Sequence, residues 1–123
     1  MTKFNKLAGA SALALFAAAG TASAADLTLY CSAQEDWCQL MANSFEDATG
    51  IDVAMTRKSS GETFAQIKAE SSNPRGDVWW GGTGDPHLQA AEEGLTTEYI
   101  SPMRDQLHPW AISQAESADN RTI

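Results

Sequence analysis

The sequence has 123 residues, with eight Lys and Arg against sixteen Asp and Glu and a formal net charge of −8. Such acidity argues against a surface built for nucleic acid or anionic membrane, which leaves small solutes or other proteins as the expected partners. The length suffices for one small domain with a thin core.

At the start of the chain, Lys3 and Lys6 precede an apolar run from Leu7 to Ala19. The run is shorter than the ~20 residues a membrane span requires, and Ala22-Ser23-Ala24 completes a signal-peptidase pattern. Residues 1–24 are therefore expected to be a cleaved signal peptide and the protein to reside in the periplasm. Without Lys3 and Lys6 the remainder holds six basic and sixteen acidic residues, a net charge of −10. Only two cysteines occur, Cys31 and Cys38. An oxidising compartment allows them to pair, and C-x6-C is neither the C-x2-C of thioredoxin-like sites nor a zinc-knuckle spacing. A structural disulfide is expected, with free or buried thiols as the alternative.

From Asp26 onward strand and helix patterns alternate. Leu27-Thr28-Leu29-Tyr30-Cys31 is an apolar run suited to a strand covered on both faces. Ser32-Ala33-Gln34-Glu35 has the S-x-x-E spacing of a capping box, so a helix is expected at once. Trp37, Leu40, Met41, Phe45 and Ala48 recur at helical intervals, with Gly50 placed to stop the helix. Tyr30, Trp37 and Phe45 are expected in the core. Ile51 to Met55 reads as a second strand, and Ser59-Ser60-Gly61-Glu62 supplies a second S-x-x-E cap. Phe64 and Ile67, with the small Ala65 and Ala69, give the following helix a packing face until Asn73-Pro74. Val78-Trp79-Trp80 is the third strand and Gly81-Gly82-Thr83-Gly84 the turn after it, with Asp85 as cap, Pro86 at the first helical position and Gly94 as stop. Tyr99 to Asn120 reads as a wrapping loop with a short helix.

Strands joined through helices run parallel, with right-handed crossovers. The expected fold is thus α/β, a parallel sheet with flanking helices, and its three strand-to-helix corners fall on one edge. There, unpaired amides and helix dipoles favour an anion and glycines let a ligand approach the backbone. Ser32, Ser59, Ser60, Gly61, Gly82 and Thr83 are the candidate ligand-binding residues, as hydroxyl and amide donors. Serine caps and glycine turns also start helices that bind nothing, so the convergence of three corners carries more than any one. Trp79 and Trp80 read as core. Arg57-Lys58 is more simply a solvated pair than an anion clamp, and neither His87 nor His108 has an evident catalytic or metal-binding partner in sequence. No catalytic residue, metal or cofactor is expected. GGTG is not G-x-G-x-x-G and no Walker lysine follows, so a phosphate-handling enzyme of the α/β class has little support.

The segments LTLYCSAQEDWC, FEDATGIDV, RKSSGETFAQIKAE, NPRGDVWWGGTGDPHLQAAEEGL and YISP, in that order after a signal peptide, resemble the N-terminal lobe of the extracellular solute-binding proteins of ABC importers. The similarity is to the branch that groups ferric-iron, phosphonate and sugar-phosphate binders, and it spans Asp26 to Pro102. It implies a two-lobed periplasmic binding protein fold that closes over a solute and is then presented to a membrane permease. On this reading 25–123 is an incomplete N-terminal α/β lobe, expected to be monomeric. The solute it implies is small and anionic, bearing a phosphate, phosphonate or carboxylate. Ferric-binding members place a histidine after the first strand and a glutamate after the third, with paired tyrosines from the other lobe; Gln34-Glu35 and Gly81-Gly82-Thr83 stand at the first two places here. Ferric iron is therefore the alternative ligand, its site dependent on residues from the opposite lobe.

Overall fold

The computed structural model describes residues 25–123, and the expected signal peptide lies outside the described residues. Strand β1 (Leu27–Cys31) leads to helix α1 (Glu35–Thr49), β2 (Val53–Arg57) to α2 (Ser60–Ala69), and β3 (Val78–Trp80) to α3 (Gly84–Glu92). A 3-10 turn at Arg104–Gln106 and helix α4 (Pro109–Ser117) follow. The sheet is parallel with order β2-β1-β3, and Leu29 stands opposite both Met55 and Val78. The α/β architecture expected from the alternation is the one observed. No helix among the described residues is long and apolar enough to cross a membrane.

Period-two alternation along β1 divides the core. Leu29 and Cys31 face α1 and pack with Cys38 and Ala42, with Leu27, Val53, Met55 and Trp80 around them. Tyr30 points the other way. Its ring lies so close to Gly76 that a Cβ there would stand 2.5 Å from Cε2, and its hydroxyl donates to Glu70 Oε2 at 2.7 Å. Gln66 donates to the other oxygen of Glu70, at 2.9 Å. Burial, and then the bond to Glu70 and its charge, raise the Tyr30 hydroxyl above its ordinary pKa. The Glu70 carboxyl is held below its own, first by the Gln66 amide and then by Tyr30.

Cys31 and Cys38 are bridged and both are fully buried. The bridge ties the end of β1 to the first turn of α1, across the corner that the sequence assigned to a serine cap. That cap does not form: the N-cap is Gln34, without a side-chain bond, because the Ser32 hydroxyl is taken up by Thr63 and Trp79. The second box does form, with Ser59 accepting from the Glu62 amide and Glu62 answering to the Ser59 amide. At α3 the N-cap is Thr83, so Pro86 falls at the third helical position and Asp85 lies in the first turn. Gly50 and Gly94 stop their helices with φ of 72° and 69°. The C-terminal region is more helical than the loop-like reading of His108-Pro109 allowed: His108 is the N-cap of α4 and Pro109 its first residue, where a missing N–H costs nothing.

The expected core placement of Trp37 and Phe45 is corrected by the structure. Trp37 is 60% exposed, Leu40 67%, Met41 43% and Phe45 37%. Helix α1 is pinned on its β2 side, where Glu46 Oε1 accepts from the Val53 amide at 2.8 Å and Glu35 approaches Arg57 at 3.7 Å. With that orientation only Cys38 and Ala42 reach the sheet, and the bulky stripe on the opposite flank projects past a three-stranded layer too narrow to cover it.

With so few large side chains buried, the cross-link carries a large share of the stability. Closing an eight-residue loop restricts the unfolded chain by about 2–3 kcal/mol. The C31S/C38S double variant should lower unfolding stability by that amount in urea titrations, and the reduced wild type should match it. Acid should also destabilise the protein. The Glu70 carboxyl, like those of Glu62 and Glu93, is depressed in the folded state, so its contribution is present above the unfolded value of ~4.3 and is lost as pH falls through the folded value. Glu70→Gln should flatten the acid limb of the urea midpoint measured against pH.

Candidate functional site

Because β1, β2 and β3 are parallel, the corners at Ser32–Gln34, Lys58–Ser59 and Gly81–Thr83 share one sheet edge. They also touch. The Ser32 amide donates to the Trp80 carbonyl at 2.9 Å and the Lys58 amide to the Cys31 carbonyl at 3.0 Å. A Cβ built on Gly82 would stand 2.1 Å from Ser60 Oγ and 2.8 Å from Ser32 Cβ, and one on Gly81 2.8 Å from the Ala33 methyl. Gly81 and Gly82 have φ of 78° and 95°. Only glycine combines that backbone with so close an approach, which is why the third corner can wedge between the other two.

The candidate residues fall into three groups. Ser60, 9% exposed, accepts from the Thr83 amide at 3.0 Å and so joins the second corner to the third. Ser32 lies at the junction of all three: its Oγ accepts from the Trp79 indole N–H at 3.0 Å and is 3.1 Å from Thr63 Oγ1. These two serines, with Gly82, are the mortar of the rim. Ser59 is spent on its own helix, its hydroxyl donating to Glu62 Oε2 at 2.6 Å. The remaining two are open. Thr83 is exposed and its side chain makes no capping bond, and nothing stands within 4 Å of a Cβ built on Gly61. The Gly61 amide belongs to the first turn of α2, whose N–H groups have no intrahelical acceptor. Gly84 in the first turn of α3 is equally open.

Two further residues that were not among the expected ligand-binding set take part in the rim. Thr63 is 1% exposed beneath Ser32; its signal was the three-residue spacing from Ser60, which sets both on the inner face of α2. His87 was dismissed for want of a partner, yet its ring stacks on Trp79 with centroids 3.6 Å apart and its Nε2 is 2.9 Å from the Gly81 carbonyl. The nearby cations turn elsewhere. Arg57 Nε donates to the Ala33 carbonyl at 2.9 Å and Lys58 Nζ to Gln66 Oε1 at 2.6 Å. No group of three or more His, Cys, Asp or Glu side chains placed to hold a metal occurs among the described residues.

A broad groove of about 1650 Å³ runs along the outer flank of β3, bounded by Tyr30, Arg75, Trp79, Trp110 and Arg121. It reaches the rim only through Gly81, Gly82, Gly84 and His87. Its volume exceeds the ~300–1,000 Å³ of small-ligand pockets, so the rim and not the trench is the compact polar site.

Comparison with known proteins agrees with the α/β fold. The profile of a family described as bacterial extracellular solute-binding protein matches residues 27–115. A Haemophilus influenzae protein described as uncharacterized is 41% identical over 110 residues, covering 85% of this chain and 32% of its own length. The chain thus spans about a third of the curated relative it matches. Among solved structures, the periplasmic binding protein AfuA of Actinobacillus pleuropneumoniae, with exogenous fructose-6-phosphate bound, is 46% identical with a TM-score of 0.67 over 71% of this chain and 27% of that one. The periplasmic binding protein P5PA is 36% identical, with a TM-score of 0.70 over 75% of this chain and 29% of that one. Iron-bound HitA of Pseudomonas aeruginosa is 27% identical, with a TM-score of 0.63 over 69% of this chain and 28% of that one.

The wedge at Gly82 predicts a contrast between glycines. Gly82→Ala should cost about 1–3 kcal/mol from backbone strain alone, before its overlap with Ser60 is counted. Gly61→Ala, with open space and a helical position, should leave stability unchanged or raise it by up to about 1 kcal/mol. Urea unfolding of the two variants side by side checks both signs.

Proposed function

Since the chain belongs to the bacterial extracellular solute-binding proteins, we propose that it forms one wall of the solute cleft of a periplasmic receptor. That receptor captures a small anionic solute for an ABC importer and performs no chemistry. The observation that carries this reading is the contact of three strand-to-helix corners at Gly82, which gathers the starts of α1, α2 and α3 on one rim. Donors dominate there: the Thr83 hydroxyl and the first-turn amides at Gly61 and Gly84 are accessible, while Ser32, Ser60 and Thr63 hold them in place. Such a set suits the several acceptor oxygens of a phosphate, and a phosphate-bearing small molecule is the ligand class it fits best. AfuA, bound to fructose-6-phosphate, supports the same class.

Acidic residues in the first turns of α1, α2 and α3 offset part of each helix dipole. Specific hydrogen bonds, rather than a diffuse positive field, must then supply the selectivity. Glu62 illustrates this, since its carboxylate is turned back onto Ser59 and leaves the Gly61 amide clear.

A ferric reading is favoured by the similarity to iron-bound HitA. It requires that the anionic ligands come from outside the residues described here. Iron titration of the full-length protein, followed by a visible charge-transfer band, separates the two: colour supports iron, whereas a shift in melting temperature with a sugar phosphate and no colour supports the anion.

Thr83 offers the cleaner mutational test because its hydroxyl is free of internal bonds. In the full-length protein Thr83→Ala should weaken fructose 6-phosphate binding about tenfold or more, the worth of a hydrogen bond to a charged group, and leave melting of the empty protein unchanged. Ser60→Ala should weaken binding and also lower stability by about 1 kcal/mol, because it strands the Thr83 amide. Equal affinities by titration calorimetry would remove both from the site.

A further inference from the structure

His87 touches both the third corner of the rim and the strand that leads into it. Its Nε2 lies 2.9 Å from the carbonyl oxygen of Gly81, and its ring stacks on Trp79 at 3.6 Å with an interplanar angle of 21°. Trp79 in turn donates its indole N–H to Ser32, whose hydroxyl meets Thr63. A carbonyl oxygen can only accept, so the 2.9 Å contact requires a proton on Nε2.

The contact matters because of which peptide it holds. Gly81 C=O and Gly82 N–H belong to one planar unit, and with no cis peptide bond in the described chain they point in opposite directions. Fixing the carbonyl toward His87 therefore aims the Gly82 N–H away from His87. This unit lies between two glycines of positive φ, the backbone most tolerant of a peptide flip. A flip would exchange the donor for a carbonyl oxygen and reverse the local polarity from one that attracts anions to one that repels them.

We propose that His87 is a positioning residue of the anion rim, locking the Gly81–Gly82 peptide in its donor-presenting orientation while its stack on Trp79 keeps the third corner in register with Ser32. The inference rests on the anion reading of the site and adds a determinant of its polarity. His87 touches no solute itself; it acts through the main chain.

Two substitutions separate its two contacts. H87F keeps an aromatic ring on Trp79 and removes the donor; H87Q places an amide N–H near the position of Nε2 and removes the stacked ring. Calorimetry of the full-length protein with fructose 6-phosphate and with inorganic phosphate should show H87F about tenfold weaker for both, with H87Q recovering most of the loss. Melting of the empty proteins should not follow that order. H87F binding like wild type, or affinity tracking melting temperature across both variants, would overturn the clamp. A further check needs no variant: two-bond proton–nitrogen NMR of the wild type should show His87 protonated at Nε2, and a ring protonated only at Nδ1 would overturn the proposal. Failure of the functional reading is separable from both results, because then the wild type itself would bind neither probe.

Discussion

Strand β1 is paired on both sides, and both pairings are parallel. Each connection in this part of the chain must therefore return through a helix, and each helix must begin at the same edge of the sheet. The remaining features of the site follow from that constraint. Ser32 and Ser60 are brought near each other because their strands are neighbours. Gly82 enters between them because β3 lies on the opposite flank of β1 from β2, so its turn closes over the end of the central strand. A rim formed in this way requires no long loop, and its donors are carried on the rigid starts of helices.

The same narrow sheet explains why the first corner is held covalently. Three strands of three to five residues bury few large apolar side chains, and the innermost residues on the α1 side are Leu29, Cys31, Cys38 and Ala42. Ser32 cannot both cap α1 and bridge to Thr63 and Trp79. The disulfide removes the conflict by fixing the start of α1 without a cap, which frees the Ser32 hydroxyl for the rim. The cross-link and the rim geometry are thus joined at one turn.

Much of this order was legible in the residues, and the exceptions share a cause. The apolar run LTLYC, the SSGE box and the glycines at 50, 81, 82 and 94 are local signals, and each produced its element where it was expected. The S-x-x-E at Ser32 follows the same local rule and failed, because its hydroxyl found partners 31 and 47 residues away. Trp37 and Phe45 failed in a related way. Helical spacing identifies an apolar flank, but which flank meets the sheet was decided by the Glu46 bond to the β2 amide. Candidate donors were located through their corners, while their present state, bonded to one another or open, depends on distances that no spacing rule encodes.

Those distances divide the rim into a frame and a working surface. Ser32, Thr63 and Trp79 satisfy one another and Ser60 holds the Thr83 amide, so all four are costly to disturb, since loss of one strands a half-buried partner. The Thr83 hydroxyl, Gly61 and Gly84 lack such ties and, on the proposed reading, are the groups left for a solute. A site arranged in this way meets a charged oxygen with donors already oriented, so little is lost to reorganisation on binding. The Gly81–Gly82 peptide is the one element whose polarity the covalent chain leaves undecided, since two glycines permit either orientation. A side chain had to settle it, and the imidazole one turn into α3 is the group placed to do so.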